Sequence, residues 1–487
     1  MKTKIIPPGV YTIHNEKAYR LQEDVMTGVY GDNPHLSMFT HKMPYETGWD
    51  FDGEENLVIE AYGVTLLIDG FMTAVALQHC KNITIKGLTI DLKRRAYTQG
   101  IVVNVQEDFF DVQFPPEKWL SEKMPCPRML FTDPETGHIS GMLSASVESK
   151  AVKEFICENT LRFFYKIPQS RLGHTVGIMH TWHGCPSVLI YEAENITLQD
   201  VTIHSHPGMG IVGHRAHNVF LNGVKIVPAE GMTVSTNTDA THFVSCSGNL
   251  VYDHCEFSGH GDDGANVHSF YQTILEKTGE RTYEMAVLVR TDIHSLKMEY
   301  PLPGDTLEYA RKANLVPQGN FQVIESHPDP ETRKCTVTLD RPLPEDCIGN
   351  VLTPINRMPA LRFKDCYVHD HIARGVLCKT SNSVIENNRF SYCTLEGICV
   401  AAEVLWNESS RSENVWIRNN TCIHCGLTIT TEASAPTEPI HKNICIEHNN
   451  IQGNVRVEHV SGLTLQSNRI EGNQKISNCN HIKEVSL

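Results

Sequence analysis

The chain has 487 residues, of which 40% are hydrophobic and 20% charged, and this ordinary globular composition excludes a disordered, collagen-like or coiled-coil protein. Asp and Glu outnumber Lys and Arg by 57 to 42, which gives a formal net charge of -15. This acidic balance argues against nucleic acid or an acidic membrane surface as a partner and favours a neutral ligand.

The N-terminal stretch MKTKIIPPGVYTIHNE contains two lysines but no apolar run of the about 7 to 15 residues that a signal peptide needs. No later segment approaches the roughly 18 apolar residues of a membrane helix. We therefore expect a soluble cytoplasmic protein with no membrane partner. Its 16 cysteines are then expected to be mostly reduced thiols that pack as small apolar residues.

A short phrase recurs along the chain: an Asn followed by apolar residues at relative positions 1, 3, 6 and 8. After Asn82 these residues are Ile83, Ile85, Leu88 and Ile90. Further copies begin at Asn195, Asn218, Asn249, Asn414 and Asn443, and weaker ones lie around Leu361, Asn382 and Leu463. The step of two puts alternate side chains on one face, and the shift between the halves indicates a corner between two short strands.

The starts of the phrase lie about 20 to 30 residues apart, which is the length of one coil of a parallel β-helix. In that fold the coils stack about 4.8 Å apart, so the repeated Asn side chains can form a hydrogen-bonded ladder. An antiparallel β-sandwich gives no reason for the same phrase to return so often. We therefore predict an all-β solenoid rather than three consecutive domains of about 100 to 200 residues.

Two stretches lose the phrase and contain short alternating runs, such as GIVVNV and CTVTLD, between turns rich in Pro, Gly and charge. We predict that residues 92–188 and 269–359 form two inserted antiparallel β-barrel-like domains. The β-helix then comprises residues 1–91, 189–268 and 360–487, and its central part carries the polar cluster that follows.

The densest polar cluster, between Ser235 and Tyr271, contains the acids Asp239, Asp253, Asp262 and Asp263. Asp239 lies 23 residues before Asp262, about one coil, so we expect these two carboxylates to stack with Asp263 beside them. Cleavage of a glycosidic bond needs a protonated acid and an ionised partner, and crowded carboxylates supply both because ionising one disfavours ionising the next. The alternative is that solenoid turns are simply rich in Asp and Gly.

Metal binding is another use of clustered acids, because the same aspartates lie near His242, His260 and His268. No tight repeated ligand spacing is present, so we predict no metal site. Cys422 and Cys425 form a lone C-x-x-C without a second pair, which favours stacked core thiols over zinc.

Several longer motifs follow one another in a fixed order. They run from GVYTI at Gly9 through FDGEENLVIEAYGVTLLIDG, KNITIKGLTID and GMGIVGHRAHNVFL to NTDATHF, GHGDDGANVH, IARGVLCKTSNSVIENN and the WNES stretch at Trp406. This series resembles glycoside hydrolase family 110, the exo-α-1,3-galactosidases, and the paired NTDATHF and GHGDDGANVH motifs are its specific part. The resemblance implies a right-handed parallel β-helix with inserted β-barrel domains. It also implies an inverting enzyme that releases terminal α-1,3-linked galactose from oligosaccharides without a cofactor, and it is compatible with a homodimer.

Matching motif to motif, the resemblance implies catalysis by Asp239, Asp262 and Asp263. Asp262 is then the general acid, and the other two aspartates hold and deprotonate the attacking water. The residues predicted to bind the substrate are His242, Asn266 and His268 within the matched motifs, and Arg374, Glu403, Trp406 and Glu408 from later coils. An aromatic ring such as Trp406 suits the apolar face of galactose.

Two other classes of function stay open. One is a different glycan-active β-helix enzyme, such as a polygalacturonase-like hydrolase, a lyase or an epimerase. An acidic substrate calls for Lys or Arg near the acids, and the segment from Ser235 to Tyr271 contains neither. The other is a non-catalytic glycan-binding solenoid like a phage tailspike, which predicts binding without turnover. The net charge of -15 also disfavours uronic acids, which leaves a neutral galactoside as the expected partner.

Overall fold

The chain folds as a right-handed parallel β-helix that carries two antiparallel insertions, which confirms the predicted all-β class. The computed structural model describes residues 1–27, 45–116, 120–143, 153–181, 183–286, 299–409 and 411–485. Two sheets form the walls of the solenoid. Among the described residues, the long sheet has 21 parallel strands, and the second has 11 parallel strands and one antiparallel strand.

The bounds of the solenoid strands show how the two sheets alternate along the chain. The strands of the long sheet are Lys2–Ile5, Gly9–His14, Glu55–Asp69, Lys81–Leu92, Glu194–Gln199, Thr202–Ile203, His217–Asn222, Lys225–Ile226, Ser247–Asp253, Glu256–Ser258, Ala360–Lys364, Tyr367–His371, Ser383–Glu386, Arg389–Cys393, Glu413–Arg418, Thr421–Ile423, His441–Glu447, Asn450–Ile451, Val460–Gln466, Arg469–Ile470 and Lys483–Val485. The strands of the second sheet are Thr47–Asp52, Thr73–Gln78, Val188–Tyr191, Ile211–His214, Thr241–Val244, Ala265–Phe270, Val376–Cys378, Ile398–Ala402, Leu427–Thr431, Val455–Glu458 and Gln474–Ser477, with Glu408–Ser409 paired antiparallel to Ala265–Phe270.

Each coil combines the recurring phrase with one further strand. In the coil around Asn195, Glu194–Gln199 and Thr202–Ile203 both belong to the long sheet, and Ile211–His214 belongs to the second sheet. The predicted corner between the two halves of the phrase therefore exists. The second sheet contributes a strand that the phrase did not include.

The apolar positions of the phrase form the core of the solenoid. Ile83 pairs with Ile196, Ile196 with Val219, and Val219 with Leu250 on successive coils, and all four side chains are buried. Removing such a side chain from water contributes about 1.5 to 3 kcal/mol. Stacking therefore supplies the apolar contact that one coil by itself lacks.

The asparagines that open the phrase form the predicted ladder. Nδ2 of Asn82 donates to Oδ1 of Asn56 at 2.9 Å, Asn195 donates to Asn82 at 2.9 Å, and Asn218 donates to Asn195 at 3.0 Å. Their φ angles of 55 to 57° lie in the left-handed region, which Asn adopts more readily than most residues. Asn thus serves both the backbone turn and the contact between coils.

A second asparagine ladder, buried inside the later coils, was not predicted. Nδ2 of Asn388 donates to Asn420, Asn420 to Asn449, and Asn449 to Asn468, at 2.9 to 3.0 Å. Each amide also donates to a backbone carbonyl of the preceding coil, at 2.7 to 2.9 Å. These side chains therefore satisfy polar backbone groups at a corner of the solenoid.

The two insertions build separate antiparallel sheets with their own apolar cores. The first contains seven strands, in the spatial order Ile139–Leu143, Arg128–Thr132, Thr175–Met179, Tyr97–Val105, Phe110–Gln113, Thr160–Phe163 and Lys153–Cys157. The second closes into a six-stranded barrel of Gln272–Lys277, Thr282–Ala286, Lys334–Leu339, Pro317–Asp329, Thr306–Ala310 and Val351–Pro354. The two outer strands of the first sheet are not paired with each other among the described residues. We propose 92–188 and 269–359 as the bounds of the insertions, to within the one or two end residues that belong to the solenoid strands Lys81–Leu92, Val188–Tyr191 and Ala265–Phe270.

Two helical elements among the described residues were not predicted: the α-helix Glu16–Thr27 and a short 3-10 helix, Gln169–Arg171. Asn15 caps the α-helix by accepting hydrogen bonds from two backbone N–H groups of its first turn, at 3.0 and 3.1 Å. Val25 and Met26 pack into the solenoid core, so the helix covers the end of that core.

Most of the 16 cysteines are buried thiols, as predicted, including both members of the C-x-x-C. Within the described ranges, none of the helices is both long and apolar enough to cross a membrane.

Candidate active site

The stacking of coils brings Asp239 and Asp263 to equivalent positions just before two paired strands. Thr241 pairs with Ala265, and the backbone N–H of Ala240 donates to the carbonyl of Asp263 at 2.9 Å. The expectation that Asp239 stacks on Asp262 is therefore wrong by one residue. The coil spacing here is 24 residues, not 23, so Asp262 lies in the turn that precedes the stacked position.

The three predicted catalytic aspartates form one cluster, with a carboxylate oxygen of each lying within 4.8 Å of the others. The side chain of Asp262 is 24% exposed, whereas those of Asp239 and Asp263 are 6% and 3% exposed. Burial raises the pKa of Asp239 to about 7, against the opposing effect of its hydrogen bond with His242. The cluster can therefore hold a proton near neutral pH, mainly because Asp239 is buried and to a smaller extent because the acids are crowded.

Two arginines from distant parts of the chain pair with this cluster. Arg128, on a strand of the first insertion, donates from Nη2 to Asp262 Oδ2 at 2.8 Å. Arg374, on the coil after Asp263, donates from Nε to Oδ1 of Asp263 at 2.8 Å and from Nη2 to Oδ2 at 2.9 Å. Arg374 was predicted to lie at the site. Arg128 was missed, because no local motif marks a residue 134 positions away from its partner.

A buried lysine, also missed by the sequence reasoning, joins two of the predicted glutamates. Nζ of Lys379 lies 2.6 Å from Glu403 Oε2 and forms a shorter contact with Glu408 Oε2. Burial alone would raise the pKa of Glu408, but the Lys379 ammonium holds it well below the usual range. Both glutamates are thus anchored by one cation.

The two anchored glutamates close a short hairpin beside the cluster. The backbone N–H of Glu403 donates to the carbonyl of Glu408 at 3.1 Å, and Glu408 returns a bond to Glu403 at 3.0 Å. The tip of this hairpin presents Leu405, 77% exposed, and Trp406, 44% exposed. Trp406 is therefore available to a ligand.

The remaining predicted residues, His242, His268 and Asn266, contact Asp239, Glu408 or each other. Nδ2 of Asn266 donates to Glu408 Oε2 at 3.2 Å. His242 Nδ1 lies 2.6 Å from Asp239 Oδ2, and His242 Nε2 lies 2.7 Å from His268 Nε2. The structure thus brings these three side chains to Asp239 and Glu408, and both histidine side chains are buried.

The charges of the site favour a neutral substrate. Arg128, Arg374 and Lys379 contradict the expectation, drawn from the local segment, that no Lys or Arg lies near the acids. Among the described residues named so far, the site holds five carboxylates, those of Asp239, Asp262, Asp263, Glu403 and Glu408, against these three cations. A negatively charged sugar acid would meet net repulsion here.

Two groups of side chains have the composition of a metal site: the three aspartates, and His242 with His268 and Glu408. In the first, guanidinium groups already pair with two of the three carboxylates. In the second, the ammonium of Lys379 pairs with Glu408. Because these cations repel a metal ion, the arrangement favours acid–base chemistry over metal binding.

Comparisons with known proteins place this site in context. No protein-family model matches the chain. The chain is 27% identical over 455 residues to α-1,3-galactosidase A of Shewanella woodyi, covering 85% of this chain and 73% of that protein. It is 28% identical over 489 residues to α-1,3-galactosidase A of Bacteroides fragilis, covering 92% and 77%. An exopolygalacturonase structure from Thermotoga maritima matches at 10% identity with a TM-score of 0.38, covering 99% of this chain and 84% of that one. The similarity to the galactosidases confirms the resemblance that the ordered motifs indicated.

Proposed function

We propose that this chain is an exo-acting glycoside hydrolase that releases terminal α-1,3-linked galactose from oligosaccharides with inversion, through Asp239, Asp262 and Asp263. The observation that carries the proposal is the cluster of these three carboxylates, formed by the two motifs that resemble the galactosidase family. The names of the relatives, which the chain matches over most of its length, support the substrate class.

Asp262 is proposed as the general acid. It is the most exposed of the three aspartates, so it can reach the oxygen of the leaving group. Arg128 donates to its Oδ2, and Oδ1 is proposed to face the substrate. Asp239 and Asp263 are proposed to hold and deprotonate the attacking water. The proton of the acid belongs to the crowded group as a whole, so its apparent pKa is a property of the cluster.

The substrate is proposed to lie between the aspartates and the hairpin that ends in Trp406. The ring of Trp406 offers an apolar face to galactose, while Glu403 and Glu408 offer acceptors for sugar hydroxyls. Arg374 and Asn266 are proposed to orient those acceptors, since they contact Glu403 and Glu408 at 2.8 and 3.2 Å.

Replacing the acid gives the direct test. Asp262→Asn should reduce hydrolysis of α-1,3-galactobiose by roughly 100- to 10,000-fold, the usual contribution of a general acid. A nitrophenyl α-galactoside, whose leaving group needs little protonation, should recover much of the rate in this variant but not in Asp239→Asn. Asp253→Asn is the matched control, because Asp253 lies outside the cluster and pairs with Lys364. A wild-type rate on galactobiose in folded Asp262→Asn would remove the assignment.

The stereochemistry needs its own measurement. Inverting glycosidases usually separate their two carboxyl groups by about 6.5 to 9.5 Å to admit water, whereas the nearest oxygens of this cluster lie within 4.8 Å. Proton NMR during the first minutes of hydrolysis should show β-galactose if the reaction inverts. Initial α-galactose would mean retention, and a different role for one aspartate.

A further inference from the structure

A line of short hydrogen bonds runs from Asp239 into the interior. His242 Nδ1 lies 2.6 Å from Asp239 Oδ2, His242 Nε2 lies 2.7 Å from His268 Nε2, and His268 Nδ1 lies 2.7 Å from the carbonyl oxygen of Ser269. The side chains of His242 and His268 are 3% and 0% exposed. Rings buried this deeply do not touch a substrate and act through their neighbours, of which Asp239 belongs to the aspartate cluster.

The far end of this line determines where its protons lie. A backbone carbonyl only accepts hydrogen bonds, so His268 Nδ1 carries a proton and donates it to Ser269. Burial lowers the pKa of His268 to about 3, which keeps the ring neutral and leaves Nε2 as an acceptor. His242 Nε2 must then donate to His268. One proton remains for the contact between His242 Nδ1 and Asp239 Oδ2.

We infer that His242, oriented by His268, is a positioning residue that keeps this proton on the Oδ2 side of Asp239 and makes Oδ1 of Asp239 the base for the attacking water. The inference rests on the proposed hydrolase function and deepens it. The resemblance assigns the holding and the deprotonation of the water jointly to Asp239 and Asp263, and the inference assigns one role to each. Asp263 is less suited to take the proton, since Arg374 engages both of its oxygens, at 2.8 and 2.9 Å. Asp263 instead holds the water in place.

The proposed step balances as follows in bonds and protons. The water gives one proton to Oδ1 of Asp239 while its oxygen bonds to the anomeric carbon. The glycosidic carbon–oxygen bond breaks, and the leaving oxygen takes the proton of Asp262. Asp239 then releases its extra proton to solvent and Asp262 takes one up, which returns both aspartates to their starting states. The proton shared with His242 stays in place throughout.

The charges around this pair set the direction of its pH dependence. The facing groups are Asp262 and Asp263 from the next coil with their partners Arg128 and Arg374, and His268, Glu408 and Lys379 from the side of the hairpin. Burial raises the pKa of Asp239, and the hydrogen bond and charge of His242 oppose that rise. Replacing His242 with a neutral donor should therefore raise the pKa of Asp239 further. As the pH falls, a base with a higher pKa becomes protonated at a higher pH, and the enzyme loses activity there.

Three variants of the full chain separate this role from a structural one. His242→Gln keeps a hydrogen-bond donor toward Asp239, but its amide cannot take up or release the shared proton. We therefore expect kcat to fall about 100-fold and the acidic limb of the kcat/KM profile to move to higher pH. His268→Leu removes the acceptor for His242 and should move the limb in the same direction. His268→Gln is the matched rescue, because its amide oxygen can accept from His242 and should preserve the limb. Circular dichroism and thermal unfolding establish that each variant is folded.

A measurement without substrate accompanies the kinetics. Nitrogen NMR of the wild type, with its histidines labelled, should show protons on His242 Nε2 and His268 Nδ1 and none on His268 Nε2. Asp239→Asn should remove the strongly downfield proton of the short contact. A proton on His268 Nε2, or a metal ion that copurifies with the wild type and is lost in His242→Gln, would overturn the inference.

The outcomes also distinguish this inference from the proposed function. If the wild type hydrolyses α-1,3-galactobiose but the limb of His242→Gln stays where the wild type has it, the positioning role is wrong and the hydrolase function stands. If the wild type releases no galactose at any pH, the proposed function fails, and the role of His242 in catalysis fails with it.

Discussion

The buried Lys379, which pairs with Glu403 and Glu408 at the base of the hairpin, offers a sharp test of the site's architecture. Lys379 has no exposed side-chain surface and contacts Glu403 Oε2 at 2.6 Å as well as Glu408. At that distance, Coulomb's law with an effective dielectric constant of about 20 gives a gross attraction of about 6 kcal/mol for one pair. Much of it offsets the loss of hydration of the charges, so breaking such a buried pair typically costs about 3 to 5 kcal/mol.

Lys379→Met should therefore destabilise the protein by about 3 to 5 kcal/mol. If the whole chain unfolds as one unit, the entropy of about 2.1 cal/mol/K per residue converts this cost to a fall of about 3 to 5 °C in the thermal midpoint. Differential scanning calorimetry near neutral pH measures it. KM for galactobiose should also rise, because the base of the hairpin loses its anchor.

The same variant has a defined pH dependence. The pKa of Glu408 is held below its usual range in the folded state, so the pair stabilises the wild type above the unfolded pKa of about 4.3 and that contribution is lost as pH falls through the folded pKa. Without the lysine, Glu408 takes up a proton at a higher pH. The stability difference between variant and wild type should therefore shrink between about pH 7.5 and about pH 5.

Lys364→Met is the matched control. Lys364 also contacts a carboxylate closely, at 2.7 Å from Asp253, but its side chain is 37% exposed. An ion pair that water screens is worth about 0 to 1 kcal/mol. The reasoning is refuted if Lys379→Met costs no more than Lys364→Met, or if its cost is the same at both pH values.

Three further outcomes follow from other contacts. Asn420→Ala removes a buried side chain that hydrogen-bonds to both neighbouring asparagines and to a backbone carbonyl, and should lower the free energy of unfolding by about 1 to 3 kcal/mol. Asn443→Ala on the exposed ladder should lower it by less, and urea unfolding compares the two variants. Arg128→Ala should lower kcat/KM roughly 100-fold with unchanged circular dichroism, because Asp262 loses the group that orients it, and an unchanged rate would exclude that role. Trp406→Ala should raise KM about 2- to 10-fold at nearly constant kcat, and steady-state kinetics that show the reverse pattern would place the ring outside the substrate site.

The repeated phrase carries most of the fold because its information is local. An inward apolar residue such as Ile196 and a left-handed Asn such as Asn195 are each required by one coil, and every coil repeats the requirement. The exposed asparagine ladder follows from that repetition. The buried ladder through Asn420 does not, because its rungs stand at the sixth position after the opening Asn, where the phrase prescribes an apolar residue.

The sequence also determined which acids meet. Coil stacking converts a separation of about one coil into proximity, so the two motifs were enough to bring Asp239 near Asp262 and Asp263. The one-residue error in register shows the limit of that argument. Counting residues identifies the neighbouring coil, but the hydrogen bond from Ala240 to Asp263 decides which of two adjacent aspartates stacks.

Only the tertiary structure decided what surrounds those acids. Arg128 reaches Asp262 from an insertion 134 residues earlier, and Arg374 reaches Asp263 from 111 residues later. Lys379 lies on a coil whose own motif gives no sign that two glutamates converge on it. A local pattern specifies the face on which a side chain lies, whereas its charged partners are set by the packing of separate coils and an insertion. The sequence by itself therefore determined the solenoid and the aspartates proposed as catalytic, and the fold decided the ion pairs and the histidine line that surround them.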